Sequence, residues 1–263
     1  KRAVNCKTMS NMKERKKFEF EVCANSVESC IAAQRAGADR VELCMGIPEG
    51  GTTPSYGELQ MARNLLKETR LHVIIRNRGG DFLYAPQELE RMAMDIDLCK
   101  HVGVDGVVFG CLTPEGDIDK AANTFLLEHA KGMSVTFHRA FDRCRDPKEA
   151  LKEIILLGFD RVLTSGQQPT AEQGIPLLRQ LHVLADNRII LMAGCGVNES
   201  NIARIHKETG VHAFHFSARE PKHSLMTYAN PAVFMGKPGA DEDTILITTE
   251  RRVRNTIDAL LNG

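Results

Sequence analysis

The chain has 263 residues, of which 43% are hydrophobic and 5% aromatic, and it contains no tryptophan. This length suits one barrel-sized domain whose core must be built from aliphatic side chains and methionine. Basic and acidic residues both number 34, so the formal net charge is zero. We therefore expect neither nucleic acid nor a membrane surface as a partner.

The first 17 residues differ from the rest of the chain in charge. They hold seven basic side chains against one acidic side chain, which gives +6, and almost no apolar residues. We predict a disordered basic tail over residues 1–17 and a folded barrel domain over residues 18–263. The chain shows no apolar signal region and no CxxC pair among its eight cysteines. We therefore expect reduced thiols and a cytoplasmic location.

A short pattern recurs four times and organises the chain. In each copy a glycine ends a helical stretch and leads into a β-rich run, because glycine suits the left-handed position after a helix. The four glycines are Gly37, Gly103, Gly158 and Gly210, which lie 66, 55 and 52 residues apart. Each interval has the length of two βα units.

Four more apolar runs lie between these copies, so the sequence predicts eight strands. They are Phe18–Cys23, Arg40–Cys44, Leu71–Arg76, Gly106–Gly110, Ser134–His138, Arg161–Thr164, Arg188–Ala193 and Ala213–Ser217. Helical stretches separate them, and two have recognisable starts. Asn25 with Glu28 resembles a capping box, and Asp146 before Pro147 is typical of an N-cap.

Strict alternation of strand and helix predicts a parallel sheet with right-handed crossovers. Eight such units close into a single α/β domain, a (β/α)8 TIM-like barrel. The alternative is an open doubly wound sheet, which is not expected to repeat in quarters. Residues 218–249 are too long for an ordinary connection, so we predict an insertion after strand eight that serves as a lid or an oligomer contact. Arg251–Leu261 is the predicted closing helix.

Charged residues stand at the ends of several predicted strands, where parallel strands are normally apolar. They are Glu21, Glu42, Arg76, Arg78, His138 and Arg139. An unpaired buried charge is costly, so we expect these side chains to face the barrel mouth, where the active sites of barrels lie. The alternative is a salt-bridged polar plug that closes the barrel without any chemistry.

Two cysteines follow the strand-end carboxylates with the same spacing. Cys23 lies two residues after Glu21, and Cys44 two residues after Glu42, so each thiol shares a strand face with its carboxylate. Adjacent parallel strands lie about 4.8 Å apart, which lets the two sulfurs come close. Two thiolates suit low-coordinate Cu(I) better than structural zinc, which needs four ligands. The alternative is that both are buried apolar thiols.

The loops after strands seven and eight contain candidate anion ligands. Gly194, Gly196 and Ser217 lie where many barrels bind phosphate through free backbone N–H groups. The alternative for the glycines is a structural role in tight turns.

Seven segments together carry a family resemblance. They are Phe20–Cys23, Gly37–Cys44, Glu49–Ser55, Arg78–Phe82, Val135–Asp142, Arg161–Gly166 and Phe216–Arg219. They resemble the CutC copper-homeostasis proteins over nearly the whole chain from Phe18 to Met235. The resemblance implies a cytosolic TIM-like barrel that forms a homodimer or tetramer, with Cys23 and Cys44 as Cu(I) ligands. The chain departs from the family pattern at Asn77, where the family has proline, and at Ala229, where it has arginine.

Two functional hypotheses remain open. In the first, the protein handles copper and holds Cu(I) as a cofactor between Cys23 and Cys44, with Arg76 and Arg78 lowering the thiol pKa. In the second, it is a lyase or isomerase acting on a small anionic or phosphorylated ligand. Glu21 or Glu42 would then be the general base and His138 the general acid or electrophile, with Arg76, Arg78 and Arg139 binding the anion. A scaffold that uses residues 218–249 is a third interpretation, which the charged barrel mouth disfavours.

Overall fold

A computed structural model describes residues 15, 17–228, 230, 232–236, 239 and 241–262. Eight parallel strands form a closed barrel in chain order, and each is followed by a helix of the outer layer. The strands are β1 (Glu19–Ala24), β2 (Arg40–Leu43), β3 (Arg70–Ile74), β4 (Gly106–Phe109), β5 (Ser134–Phe137), β6 (Arg161–Thr164), β7 (Ile190–Gly194) and β8 (Ala213–Phe216). The prediction of a (β/α)8 barrel is confirmed.

The described part of the chain contains eight α-helices. They are α1 (Val27–Arg35), α2 (Tyr56–Leu65), α3 (Pro86–Val102), α4 (Lys120–His129), α5 (Pro147–Leu157), α6 (Ile175–Ala185), α7 (Ile202–Thr209) and α8 (Glu250–Leu261). Short 3-10 turns cover Ile47–Glu49 and Arg139–Arg143. Both turns follow the carboxyl ends of the strands, and they shape the rim of the site described below.

Side chains of the strands alternate between two environments, as a period of two requires. Residues such as Phe20, Val22 and Val41 face the helices and join the main apolar core. A smaller apolar cluster of Leu163, Met192 and Ala213 fills part of the barrel interior. The charged side chains of the strands occupy the alternate positions, which face the barrel interior. This explains why the strand sequences are not continuously apolar.

The helix ends follow local sequence signals, with one correction. Asp146 caps α5 as predicted, and its carboxylate accepts hydrogen bonds from the backbone N–H groups of Lys148 at 2.9 Å and Glu149 at 3.2 Å. The prediction that Asn25 caps α1 is wrong, because Ser26 takes that position and its hydroxyl accepts from the N–H of Ser29. The amide of Asn25 instead donates to the carbonyl of Leu246 at 2.7 Å.

We expect Asp146→Ala to lower the free energy of unfolding by about 1 kcal/mol, since two N–H groups of the first turn lose their acceptor. Urea denaturation followed by circular dichroism measures the change. Glu115→Ala removes an exposed carboxylate from a loop and is the matched control. Equal stability of the two variants would contradict the assignment of the cap.

The segment after β8 begins and ends in a two-stranded antiparallel hairpin. Its strands are β9 (Arg219–His223) and β10 (Thr244–Thr248), and Thr249 then caps α8. The predicted insertion after strand eight is therefore confirmed. Between the strands, Leu225, Met226 and Met235 are strongly exposed, at 93%, 75% and 90%. Ala229, the departure from the family pattern, lies outside the described residues.

Most of the predicted basic tail also lies outside the described residues. Arg15 is described, and it contacts the barrel through the carboxylate of Asp39 at 2.9 Å and the ring of Phe20, whose centroid is 4.5 Å from the guanidinium carbon. In the part of the chain that the structure covers, no helix has both the length and the apolarity to cross a membrane.

Candidate functional site

A cavity of about 660 Å³ opens at the carboxyl ends of the strands. Eight of the residues singled out from the sequence line it, namely Cys23, Glu42, Cys44, Arg76, His138, Arg139, Gly196 and Ser217. Glu21, Arg78 and Gly194 are not among the lining residues. Of the site residues predicted from the sequence, eight therefore line the cavity and three lie elsewhere.

Strand register brings the two candidate thiols together. Cys23 is paired with Glu42 across β1 and β2, and both side chains point into the barrel. The N–H of Cys44 donates to the carbonyl of Ala24 at 2.9 Å, which extends the ladder past the end of β2. As a result the Sγ atoms of Cys23 and Cys44 lie 3.5 Å apart. Cys44 is buried, whereas Cys23 is only half-buried beside the cavity.

The two thiols are electrostatically unlike. The hydrogen bond from the Cys44 thiol holds the pKa of Cys23 well below its usual range, with further help from His215 and Arg219. The same bond and burial raise the pKa of Cys44. The guanidinium that contacts Cys23 Sγ belongs to Arg219, with Nη2 at 3.2 Å. Arg219, rather than the predicted Arg76 and Arg78, is thus the arginine that favours the thiolate.

His215 connects the rim to the barrel interior. Its Nδ1 lies 2.7 Å from Oε1 of Glu21, and its Nε2 lies 3.5 Å from Oε2 of Glu42. Burial opposes protonation, but hydrogen bonds to Cys23 and Glu21 raise the pKa of His215 well above its usual value. No role was predicted for this histidine, although it lies two residues before Ser217 and therefore has the same strand parity.

Glu21 lies below the cavity and not in its wall. Its carboxylate is fully buried and forms an ion pair with Arg40, which is paired with it across β1 and β2. Burial acts to raise the pKa of Glu21, yet Arg40 and His215 hold it well below the usual range. Glu21 therefore acts as a buried anchor for His215, and it lacks the access to substrate that a general base needs.

Glu42 is the carboxylate that does reach the cavity. It is buried, and burial raises the pKa of Glu42 to about 8, with His215 acting in the opposite direction. One donor atom from each of Cys23, Glu42 and His215 lies within 4.8 Å of the other two. Among the described residues, this is the one group of three or more His, Cys, Asp or Glu side chains whose donor atoms lie close enough together to hold a metal ion.

Two predicted arginines are occupied by local contacts. Arg76 lines the cavity, but its guanidinium donates to the carbonyls of Glu49, Gly51 and Gly80 at 2.7, 2.9 and 3.0 Å. Arg78 lies beyond the end of β3, and Glu88 binds its Nε at 2.6 Å. The predicted position of Arg78 at the mouth is therefore not observed, because a carboxylate in the first turn of α3 draws its side chain away.

His138 and Arg139 form the opposite wall. Nδ1 of His138 accepts from the N–H of Ala140 at 3.3 Å. Burial, aided by the charge of Arg76, lowers the pKa of His138 to about 3. The neutral ring must then carry its proton on Nε2, which has no hydrogen-bond partner among the described residues. Arg139 is held by Asp142 at 2.7 Å and by the Ser165 hydroxyl at 3.0 Å.

The predicted anion-binding loops are only partly at the cavity. Gly196 and Ser217 line it, and Gly196 has a φ of +74° that favours glycine. Gly194 packs inside the barrel, where an added Cβ would lie 2.4 Å from Cδ1 of Leu163. The absence of a side chain at Gly194 therefore serves packing. Cys195 also lines the cavity, and its thiol donates to the carbonyl of Pro169 at 3.1 Å.

Fold and site together define a (β/α)8 barrel protein with a thiol, carboxylate and histidine cluster at the carboxyl ends of its strands. The CutC family model matches residues 18–220. A CutC family protein of Bacteroides thetaiotaomicron is 63% identical over 246 residues, covering 93% of this chain and 99% of the relative. The chain therefore belongs to the CutC family.

Two further relatives extend the comparison. The human relative, named copper homeostasis protein cutC homolog, is 46% identical over 244 residues, covering 92% of this chain and 89% of its own. The crystal structure of a CutC protein from Streptococcus agalactiae matches with a TM-score of 0.73 and 36% identity, covering 76% of this chain and 98% of its own. The barrel is thus shared with a solved structure of the same family.

Proposed function

We propose that the protein binds Cu(I) as a cytoplasmic copper-handling protein, with Cys23 and Cys44 as the ligands. The observation that carries the proposal is the separation of 3.5 Å between the two Sγ atoms at the wall of an open cavity. Soft thiolates select Cu(I), which accepts a low coordination number. Membership of a family whose human relative is named for copper homeostasis supports the same function.

Charge around the thiols favours this ion. Two thiolates and one Cu(I) carry a net charge of −1, which is costly to bury without a partner. Arg219 supplies a positive charge 3.2 Å from Cys23 Sγ and reduces that cost.

We further propose that the protein assembles as a homodimer or homotetramer. The exposed apolar side chains after β9 are the surface that we expect the subunits to use.

We expect Cys23→Ala and Cys44→Ala each to weaken Cu(I) binding at least about a hundredfold, since a digonal site loses half of its ligands. Reduced protein under nitrogen is titrated against a chromophoric Cu(I) chelator. Cys99→Ala, which removes a buried thiol from α3, is the control and keeps the affinity of the unaltered protein. Unchanged Cu(I) affinity in both site variants would reject the proposal.

A second candidate function is catalysis on a small anionic or phosphorylated molecule by lyase or isomerase chemistry. The favouring observation is the volume of about 660 Å³, which is far larger than one ion needs. Glu42 is then the general base, the Nε2–H of His138 polarises the substrate, and Arg139, Gly196 and Ser217 bind the anion. Calorimetric titration with inorganic phosphate tests this, and Arg139→Gln is expected to weaken binding about tenfold.

A further inference from the structure

We propose that Cys23, Glu42 and His215 form a second metal site, which takes a divalent ion of borderline softness such as Zn²⁺. This site shares Cys23 with the proposed Cu(I) pair, so the inference rests on that cysteine being available to metal. Cys44 is not a member of the second site. The protein thus has two overlapping donor sets, and the choice between them depends on the charge and softness of the ion.

Convergence of three different donor types is the first observation. A sulfur, a carboxylate oxygen and a ring nitrogen all lie within 4.8 Å of one another. His215 Nε2 is 3.5 Å from Oε2 of Glu42, so a cation placed between these atoms can contact both with small movements. Sulfur, nitrogen and carboxylate ligands at about 2.0 to 2.3 Å are those of protein zinc sites. Cu(I), by contrast, prefers the purely sulfur pair.

The surroundings of His215 provide an independent second observation. Metal-binding histidines donate their other ring N–H to a carboxylate, which fixes the tautomer and the ring orientation. Here Nδ1 faces Oε1 of Glu21 at 2.7 Å, and this contact keeps a proton on Nδ1 when a metal displaces the proton of Nε2. Glu21 is in turn fixed by Arg40 and is fully buried. Such a buried carboxylate–histidine pair is already oriented for metal binding.

Charge balance provides the third observation. The cationic partner of Glu42 within hydrogen-bonding range is His215, because Arg40 pairs with Glu19 and Glu21. His215 becomes a neutral ring when it binds a metal, so the ion itself must then balance the buried Glu42 carboxylate, which is costly to leave without a cation. A divalent ion neutralises both the Cys23 thiolate and the Glu42 carboxylate. A monovalent ion at this position neutralises only one of them.

Three protein ligands leave one tetrahedral position unfilled, as in catalytic zinc sites. All three ligand residues line the cavity, so a water molecule or substrate oxygen can take that position from the cavity side. His138 also lines this cavity, and its Nε2–H is buried without a partner among the described residues. The ligand class that fits is a small molecule with a carbonyl or anionic oxygen, which binds the metal and reaches the His138 wall.

The test compares Zn²⁺ and Cu(I) affinities of the same reduced, metal-free variants under nitrogen, using competing chelators for each ion. Co²⁺ replaces Zn²⁺ as a spectroscopic probe, because a sulfur-to-cobalt charge-transfer band reports Cys23 directly. We expect Glu42→Gln and His215→Gln each to weaken Zn²⁺ affinity at least about a hundredfold, which exceeds the usual cost of losing a residue that only orients a metal ligand. The Cu(I) affinity of both variants should stay within about threefold of that of the unaltered protein. Cys44→Ala shows the reverse pattern, and Cys23→Ala loses both ions.

The outcomes separate this inference from the proposed copper function. Loss of Cu(I) binding in Cys44→Ala with intact Zn²⁺ binding supports both proposals. Equal Zn²⁺ affinity in Glu42→Gln and the unaltered protein overturns the inference, and so does a Zn²⁺ loss in Cys44→Ala as large as that in His215→Gln. Failure of the unaltered protein to bind Cu(I), with normal Zn²⁺ binding, overturns the copper proposal alone. Retained Cu(I) affinity and an unaltered circular dichroism spectrum serve as the folding control for the Glu42 and His215 variants.

Discussion

Arg40→Met is expected to lower the free energy of unfolding by about 3 to 5 kcal/mol, because it leaves the carboxylate of Glu21 buried without its main cation. Arg40 has 1% of its side chain exposed and Glu21 has none, so solvent cannot replace the lost charge. Methionine is shorter than arginine but has a similar volume and no charge, and Met192 already contacts the guanidinium at 3.7 Å. The loss therefore reports on charge more than on volume.

The matched control for Arg40→Met removes both charges. In Arg40→Met with Glu21→Gln the fully buried carboxylate is gone, and Glu19 still has Arg161 at 3.6 Å, so we expect at least half of the stability to return. Urea denaturation is followed by circular dichroism, because the chain has no tryptophan for fluorescence. A loss below about 1 kcal/mol in the single variant, or no recovery in the double variant, would contradict a strongly coupled buried pair.

His72→Gln is expected to make stability less sensitive to acid. His72 is fully buried in the barrel, both of its ring nitrogens lack a partner among the described residues, and burial lowers the pKa of His72 to about 3. Between pH 6.5 and 3 the unfolded chain binds a proton at this position that the folded protein does not. Stability must then fall by about 1.4 kcal/mol per pH unit as the pH falls, or by about 4 kcal/mol from pH 6.5 to 3.5.

The measurement is the slope of unfolding free energy against pH, compared between the variant and the unaltered protein. The comparison is needed because other buried groups also make stability depend on pH. The pKa of His138 is lowered to about 3, so this residue also makes stability fall as the pH falls. The pKa of Glu42 is raised to about 8, so above pH 4.5 this residue makes stability rise as the pH falls. His101→Gln removes an exposed histidine and should leave the slope unchanged. A variant slope equal to that of the unaltered protein would show that His72 titrates normally.

The barrel was predictable because its evidence in the sequence is local. Glycines with positive φ close helices at Gly103, Gly158 and Gly210, and apolar runs begin shortly after them. The observed strands overlap the predicted ones, and their ends differ by at most two residues. The proximity of the Cys23 and Cys44 thiols could also be predicted, since it needs only adjacent parallel strands and a period of two.

The sequence could not predict which layer of the barrel interior each polar side chain occupies. Glu21 was expected at the mouth, but the register of β1 against β2 places it beside Arg40, one layer deeper. Register depends on closure of the whole ring, which no local pattern encodes. Arg78 lies in a loop, where a nearby carboxylate decides its direction. His215 could have been found by its parity with Ser217, whereas Arg219 could not, because its position depends on the hairpin.

Arg219 is at once the first residue of β9 and the cation beside Cys23. The other strand of the hairpin is tied to the barrel by the amide of Asn25, which donates to Leu246 at 2.7 Å. One rigid element therefore joins the thiol to a surface rich in exposed apolar side chains. Any partner that shifts the hairpin on binding this surface would alter the affinity of Cys23 for the proposed metal ion, and the ion would alter the affinity for that partner by the same factor.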